Sequence, residues 1–289
     1  THYYDIIGIS ALFGPAYKSM LDLAQISKTL YPKAFVLGGG FLATNMYQQI
    51  FTDSKMFDGL CFGEGERPLL RFIQSQDKVR FLQNDPSWIT PNKISQSGCG
   101  LGLVSIGKKG IKKQDFNHDL IDNLDDIPFL DYDLGDLSGY DLNPTINAYP
   151  SLKKIGQAYH IMTSRGCVYS CSFCAQDTVH GKRMRYYSLE RVKEDLLKLK
   201  TENNVKTIVI EDDHFMGNIK RAYEILGVLI ELNMIACFPN ALALYALKRP
   251  MLERIKSVGV DQLVLAVESG SAEVLHKIMH KPLKLEIIK

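Results

Sequence analysis

The sequence lacks any long apolar run and carries almost no net charge. Its most apolar helical stretch, residues 225–232, contains Gly227 and Glu231, whereas a membrane-spanning helix needs about 20 apolar residues. The 34 basic and 32 acidic residues leave a formal charge of +2, and no run of basic residues is longer than a pair such as Lys108-Lys109. We therefore expect no membrane span and no nucleic-acid binding.

Cysteine is scarce, with six residues in a chain of 289. A chain of this length, 46% hydrophobic and 23% charged, can bury sizeable cores without disulfide bonds. Its first residues follow a strand pattern and not that of a secretory signal, so we expect reduced thiols and a cytoplasmic location. Cys61, Cys99 and Cys237 are isolated along the sequence, which favours a role as small buried hydrophobes.

The other three cysteines, Cys167, Cys171 and Cys174, form a CxxxCxxC pattern. A short loop with three thiolates can wrap one cubane iron–sulfur cluster, which leaves the fourth iron open for chemistry. A zinc site is an alternative, with His180 completing a Cys3His set. Disulfide bonding is a further alternative that the reducing compartment disfavours.

The motif resembles that of the radical S-adenosylmethionine (SAM) enzymes, in which the penultimate position is usually aromatic, here Phe173. The resemblance implies that Cys167, Cys171 and Cys174 hold a 4Fe-4S cluster whose open iron binds the amino and carboxylate groups of SAM. One electron from the cluster then cleaves the sulfonium. The resemblance also implies that Phe173 forms a wall near the adenine.

Residues 5–76 alternate short apolar strands with amphipathic helices, which predicts an α/β, doubly wound sheet. We expect strands at Ile6–Ser10, 34–37 and 59–62. The apolar residues of the first helix, and of the helix after the third strand, are expected to face the core: Met20, Leu23, Ala24 and Leu30, and Leu69, Leu70 and Ile73.

Ligands of such sheets bind beyond the carboxyl ends of the strands, where this chain has three consecutive loops that contain small residues. The loops are Ser10-Ala11-Leu12, Gly38-Gly39-Gly40 and Gly63-Glu64-Gly65-Glu66. Any one glycine-bearing loop is equally typical of a tight turn. Together, the loops resemble the cobalamin-binding domain that precedes the catalytic domain in one radical SAM class.

This second resemblance implies that cobalamin contacts Ser10, Leu12, Gly38, Gly39, Gly40, Gly63, Glu64, Gly65 and Glu66. The loop after Ser10 contains no histidine that could ligate the lower face of the corrin. The resemblance also implies a Rossmann-like domain over residues 1–76 whose first strand and helix are missing.

Many turn-forming residues occur between 77 and 155, which predicts a connector with a small hairpin at 101–111. From residue 156 to 289 the strand and helix patterns alternate again, with strands at 159–163, 207–210, 235–238 and 262–267 and a helix after each. Ser188 is a candidate N-cap for the first of these helices. Four βα units predict a (βα) barrel, and the resemblance implies a partial radical SAM barrel whose C-terminal units are missing.

The carboxyl ends of barrel strands carry the reacting groups, and here they are polar. Glu211, Asp212 and Asp213 follow the second strand, Asn240 follows the third, and Glu268 and Ser269 follow the fourth. The resemblance implies that residues 211–213 receive the amino group of SAM and that Glu268 and Ser269 face its ribose or carboxylate, with Asn240 in the same site. Alternatively, one of the three acids caps the next helix.

The combined resemblance implies a cobalamin-dependent radical SAM methyltransferase that acts on an unactivated centre of a small molecule. A radical SAM cyclase or rearranging enzyme of the same class and a non-catalytic zinc-binding protein are the alternatives. The enzyme would require an external electron donor of the flavodoxin or ferredoxin type.

Overall fold

The computed structural model describes residues 3–96, 118–135 and 158–288. The hairpin predicted at 101–111 and Cys99 lie outside this part of the chain. The described residues form two compact units. The first reaches Ile121 and includes Thr178–Gly181, and the second comprises Asp122–Asp177 and the residues from Lys182 onward.

The first unit is built on a mixed four-stranded sheet in the order β1-β2-β3-β4. Strands β1 (Ile6–Ser10), β2 (Phe35–Gly39) and β3 (Gly59–Cys61) are parallel, close to the predicted ranges, and β4 (Trp88–Ile89) is antiparallel to β3. Its helices are α1 (Tyr17–Leu30), α2 (Gly40–Asn45), α3 (Tyr47–Asp53), α4 (Glu66–Gln74), α5 (Lys78–Asn84) and α6 (Pro91–Gln96). The α/β class predicted for this region is confirmed.

The apolar faces of α1 and α4 are narrower than the sequence predicts. Helix α1 buries Met20 and Ala24, one turn apart, whereas Leu23 and Leu30 are exposed. Helix α4 buries Pro68 and Phe72, and the predicted core residues Leu69, Leu70 and Ile73 are exposed. Residues four apart lie one above the other on a helix, so a single i, i+4 row is enough to cover the short strands.

Residues 77–96, predicted as connector, instead form α5, β4 and α6. Asp77 caps α5 by accepting a hydrogen bond from the Arg80 amide at 2.9 Å. Trp88 of β4 is fully buried beside Phe72. These elements are two to seven residues long, which is too short for hydrophobic periodicity to distinguish them from a series of turns.

The second unit contains a parallel sheet in the order β5-β8-β9 and a separate two-stranded ribbon. The sheet consists of β5 (Ala158–Ile161), β8 (Thr207–Ile210) and β9 (Ile235–Cys237), and the antiparallel ribbon of β6 (Ser164–Arg165) and β7 (Arg185–Tyr186). A short helix, α7 (Asp177–His180), begins at the last residue before the segment that belongs to the first unit. The helices of the second unit are α8 (Leu189–Glu202), α9 (Ile219–Glu231), α10 (Arg249–Ser257) and a π-helix, Val274–Ile278. Ser188 caps α8 by accepting from the Arg191 amide, as predicted.

The fourth strand predicted for the barrel, residues 262–267, is wrong. Within the described residues this segment makes a single parallel bridge, Leu242 to Leu265, and none of its side chains is buried. Alternating apolar residues indicate a strand only where a neighbouring strand covers one face. None of the helices in the described part of the chain is both long enough and apolar enough to span a bilayer.

Candidate functional site

The loop that carries the three cysteines joins the strands of the β6–β7 ribbon. It begins at Gly166, whose φ of +90° lies in the left-handed region that favours glycine. The Gly166 amide donates to Asp213 Oδ2 at 2.8 Å, so the chain that follows β8 holds the start of the loop. Further along, the Cys174 amide donates to the carbonyl of Cys171 at 3.0 Å, which closes a tight turn between two of the thiols.

The three thiols of this loop are free and influence one another electrostatically. Cys167 and Cys171 are half-buried, and Cys174 is exposed. Burial raises the pKa of Cys167, the Tyr169 amide lowers it, and the neighbouring Cys174 and Cys171 raise it further. Three such neighbouring thiols would strongly favour a cationic metal centre, because a thiolate is the form that binds metal.

The donor set fits a cubane cluster. In the described part of the chain, no three or more His, Cys, Asp or Glu side chains are gathered tightly enough to hold a single metal ion, and the Cys3His zinc site with His180 stays an alternative prediction. A cubane binds each thiolate through a different iron, so its ligands need not converge on one point. Cys61 and Cys237 are buried, as predicted, and burial raises the pKa of each thiol to about 12.

Asp212 is buried and hydrogen-bonded to the protein itself, and its predicted contact with SAM stays a prediction. Its side chain is 2% exposed and accepts from the Thr163 amide at 2.5 Å, the Thr163 hydroxyl at 2.6 Å and the Ser164 hydroxyl at 2.6 Å. Burial raises the pKa of Asp212, and these hydrogen bonds oppose that effect. A carboxylate occupied in this way has no free face for a ligand.

The two acids that flank Asp212 remain accessible. Glu211 Oε1 lies 2.7 Å from His160 Nδ1 on β5, and both side chains are about one-third exposed. Asp213 Oδ1 accepts from the side-chain amide of Gln176 in the cysteine loop. Neither acid caps α9, since Asn218 does so by accepting from the Arg221 amide at 3.1 Å.

Asn240, Glu268 and Ser269 also lie at chain turns in the second unit. The Asn240 amide donates to the carbonyls of Glu211 and Asp212, both at 3.2 Å, which brings the exits of β8 and β9 together. Glu268 has a φ of +63°, a conformation that non-glycine residues rarely adopt outside constrained sites. Ser269 Oγ accepts from the Ser271 amide at 3.1 Å. The predicted adenine wall, Phe173, is 52% exposed.

The sequence prediction missed an aromatic group beside the cysteine loop. The Tyr169 ring lies 5.4 Å from the His214 ring, and His214 Nε2 lies 3.1 Å from the Tyr245 hydroxyl. Burial raises the pKa of Tyr245 to about 12, with Tyr169 acting in the same direction through a hydrogen bond. Nothing in the local sequence pattern around His214 indicates Tyr169 or Tyr245 as neighbours.

The loops of the first unit divide into packed and open residues. At Gly38 an added Cβ would clash with the Leu60 and Met20 side chains of the core. The Glu64 side chain is 3% exposed and accepts from the Ile121 amide at 3.0 Å, and contact of either residue with cobalamin stays a prediction. These two residues are occupied with the protein's own packing.

The open residues at the same strand ends include Ser10, Leu12 and Glu66, whose side chains are exposed. An added Cβ at Gly39 would meet nothing within 4 Å, which is the kind of space a bulky group needs to approach the backbone. Gly40 (φ +82°) and Gly63 (φ +77°) adopt left-handed conformations, and Gly65 precedes the first turn of α4.

Two family models match the chain. The model of the B12 binding domain matches residues 1–73, and that of the radical SAM superfamily matches residues 161–289. Among solved structures, the chain is similar to the radical SAM methyltransferase TsrM from Kitasatospora setae with cobalamin and a [4Fe-4S] cluster bound (TM-score 0.67, 14% identity, 99% of this chain and 53% of that one). It is also similar to OxsB with aqua-cobalamin and SAM bound (TM-score 0.62, 22% identity, 98% and 38%).

The chain is also similar to curated proteins, of which it spans about half the length in the first two cases. Cytidylyl-2-hydroxyethylphosphonate methyltransferase of Streptomyces wedmorensis is 25% identical, over 98% of this chain and 53% of that protein. An uncharacterized methyltransferase of Pyrococcus horikoshii is 27% identical (95% and 54%). The anaerobic magnesium-protoporphyrin IX monomethyl ester cyclase of Rubrivivax gelatinosus is 24% identical (78% and 37%).

Proposed function

We propose a function from the premise that this chain joins a B12 binding domain to a domain of the radical SAM superfamily. The proposed function is that of a cobalamin-dependent radical SAM enzyme, which cleaves SAM reductively and transfers a methyl group to a small molecule. The observation that carries the proposal is the loop of Cys167, Cys171 and Cys174, which has three free thiols. That loop is tied through Gly166 and Gln176 to Asp213, beyond the carboxyl end of β8.

Cys167, Cys171 and Cys174 would hold the cluster. When bound, a 4Fe-4S cluster with three protein ligands supplies an electron and one open coordination site for SAM. The protein's part is to keep the loop in one conformation, and the hydrogen bonds of Gly166 and Gln176 to Asp213 do so at its two ends. Cys167 and Cys171 are half-buried and Cys174 is exposed, so the protein shields two of the three thiols in part from water.

SAM would be held by the polar residues beyond the strands of the second unit. Glu211, Asp213 and Glu268 provide carboxylate acceptors for its amino group and ribose hydroxyls, and Asn240, Ser269 and Phe173 complete the set. Asp212 would stabilise this site indirectly, because its carboxylate accepts hydrogen bonds from Thr163 and Ser164, which lead into the cysteine loop.

Cobalamin would be held by the open loops of the first unit. The proposed cobalamin contacts are Ser10, Leu12, Gly39, Gly40, Gly63, Gly65 and Glu66. When bound, cobalamin carries the methyl group that is transferred. An added Cβ at Gly39 would meet nothing within 4 Å, so a large planar group could approach the backbone there, and the positive φ of Gly40 and Gly63 lets the chain turn at the same strand ends.

Methyl transfer is favoured over the other reactions of this class because similar curated proteins are named methyltransferases, including those of Streptomyces wedmorensis and Pyrococcus horikoshii. A cyclase is the second candidate, favoured by the similarity to the Rubrivivax gelatinosus enzyme. We also propose a cytoplasmic location and an electron donor of the flavodoxin or ferredoxin type.

The test is anaerobic reconstitution with iron and sulfide, followed by EPR of the reduced protein with and without SAM. The expected result is a cubane signal that changes when SAM is added. Zinc bound without an EPR-active cluster would contradict the proposal. A parallel refolding in the presence of hydroxocobalamin tests whether the first unit binds a corrin. The corrin is expected to co-purify with the protein. Incubation with SAM labelled in its methyl group, a reductant and candidate substrates then distinguishes methyl transfer from cyclisation.

A further inference from the structure

Lys281 is placed beside the cysteine loop, although it lies outside every motif identified in the sequence. Its Nζ is 3.1 Å from Glu268 Oε1, and its side chain is only 16% exposed. The same ammonium lies 5.8 Å from the centroid of the Phe173 ring. In the sequence, Phe173 stands between the second and third cysteines of the loop. A lysine that is buried to this extent contributes a fixed positive charge to its surroundings.

The backbone keeps Lys281 close to the loop. The Ser172 amide donates to the carbonyl of Met279 at 2.9 Å, and the Ser172 hydroxyl donates to the carbonyl of Ile278 at 2.8 Å. Ser172 directly follows Cys171, so these bonds connect the segment before Lys281 to the residue beside a thiol. These two bonds hold the backbone of Ile278 and Met279, just before Lys281, against the cysteine loop.

The backbone is constrained at Glu268 and at the residue that precedes Lys281. His280, which precedes Lys281, has a φ of +51°, and Glu268 has a φ of +63°. The Lys281 amide donates to the carbonyl of Leu275 at 2.8 Å, which closes the end of the π-helix. Residues other than glycine keep such conformations only where the surrounding structure requires them, as at ligand sites.

The pair lies beside the segment that carries two of the thiols. Phe173, whose ring the Lys281 ammonium approaches, stands between Cys171 and Cys174 in the sequence. Lys277 is a natural comparison, because it lies four residues earlier, is 75% exposed, and pairs with Glu273 on the surface. Exposed charges of that kind are screened by solvent and salt.

We propose that Lys281 sets the reduction potential of the cluster held by Cys167, Cys171 and Cys174, and that Glu268 partly offsets its charge; this rests on the proposed function. Reduction adds one electron to the cluster, and a fixed cation nearby stabilises the reduced state more than the oxidised state. Lys281 thus makes the cluster easier to reduce. Lys281 would act on the cluster indirectly, as a positioning residue, through the electrostatic potential that its charge creates at the thiolates.

The experiment is an EPR-monitored redox titration of the reconstituted protein without SAM or substrate. Four variants are compared with the wild type: Lys281→Met, Lys281→Arg, Glu268→Gln and the control Lys277→Met. Lys281→Met is expected to shift the midpoint potential to a more negative value. Lys281→Arg and Lys277→Met are expected to leave it close to the wild-type value. Glu268→Gln is expected to shift it in the positive direction.

The outcomes separate the inference from the function on which it rests. A wild type that assembles no cluster contradicts the proposed function and this inference with it. A wild-type cluster whose midpoint is unchanged in Lys281→Met overturns the inference and leaves the proposed function intact. If Lys281→Met assembles no cluster, Glu268→Gln decides: a positive shift supports the inference, and an unchanged midpoint overturns it.

Discussion

The Asp212 carboxylate accepts hydrogen bonds from both the amide and the hydroxyl of Thr163, at 2.5 and 2.6 Å. Thr163 follows β5 and precedes the cysteine loop, and Asp212 follows β8. Arg221 of α9 adds to this connection by donating to the carbonyl of Thr163 at 2.8 Å. Two buried side chains therefore hold the backbone that leads into the cysteine motif: the Asp212 carboxylate, which follows β8, and the Arg221 guanidinium on α9.

Asp212→Asn is expected to destabilise the protein by about 2–4 kcal/mol, because one amide oxygen cannot replace a buried carboxylate that accepts three hydrogen bonds. Urea unfolding followed by circular dichroism measures the change. Glu253→Gln is the control, since Glu253 forms only an exposed pair with Arg249, and the expected loss is below about 0.5 kcal/mol. Equal stability of the two variants would show that the Asp212 network is not structural.

Gly40→Ala is expected to destabilise the first unit by about 1–3 kcal/mol. The φ of Gly40 is +82°, and an added Cβ would lie 2.8 Å from the backbone oxygen of Ala11. The control is Gly8→Ala on β1, where nothing lies within 4 Å of the added Cβ. Denaturant midpoints of the two variants provide the measurement, and a loss at Gly8 as large as that at Gly40 would contradict the argument.

His214 is expected to make stability depend on pH. Burial lowers the pKa of His214 below its ordinary value of 6.5, so the unfolded state binds the proton more tightly than the folded state. The contribution of the neutral ring is fully present above pH 6.5 and is lost as the pH falls below that value. Urea midpoints measured between about pH 5 and pH 8 for the wild type and His214→Asn test this. The variant is expected to show the weaker dependence, and identical slopes would exclude His214 as the cause.

Single substitutions of Cys167, Cys171 or Cys174 by alanine are each expected to abolish the visible iron–sulfur absorbance after anaerobic reconstitution, because a cubane needs all three thiolates. Cys237→Ala is the matched control, since Cys237 is buried and is expected to leave the absorbance intact. His180→Ala is also expected to retain iron. Loss of bound metal in His180→Ala would instead favour the Cys3His zinc site.

The sequence alone predicted what depends on local spacing. The CxxxCxxC pattern, the N-cap at Ser188 and the parallel strands β1, β2, β5, β8 and β9 all arise from residues close together in the chain. Such patterns are visible without a structure because a helix or strand of ordinary length repeats its apolar residues with a fixed period. Where elements were short, as in α5 and β4, the period was not visible and the sequence did not predict them.

Only the tertiary structure decided which polar residues are occupied and which are open. Asp212 and Asp213 are adjacent in sequence, yet Asp212 is buried against Thr163, whereas Asp213 bonds to the cysteine loop. Lys281 approaches the Phe173 ring of the same loop, and the hydrogen bond from Ser172 to Ile278 beside it spans 106 residues. Contacts over such separations depend on how strands and turns pack, and no local repeat records them, so the sequence predicted the ligands of the site but not their supports.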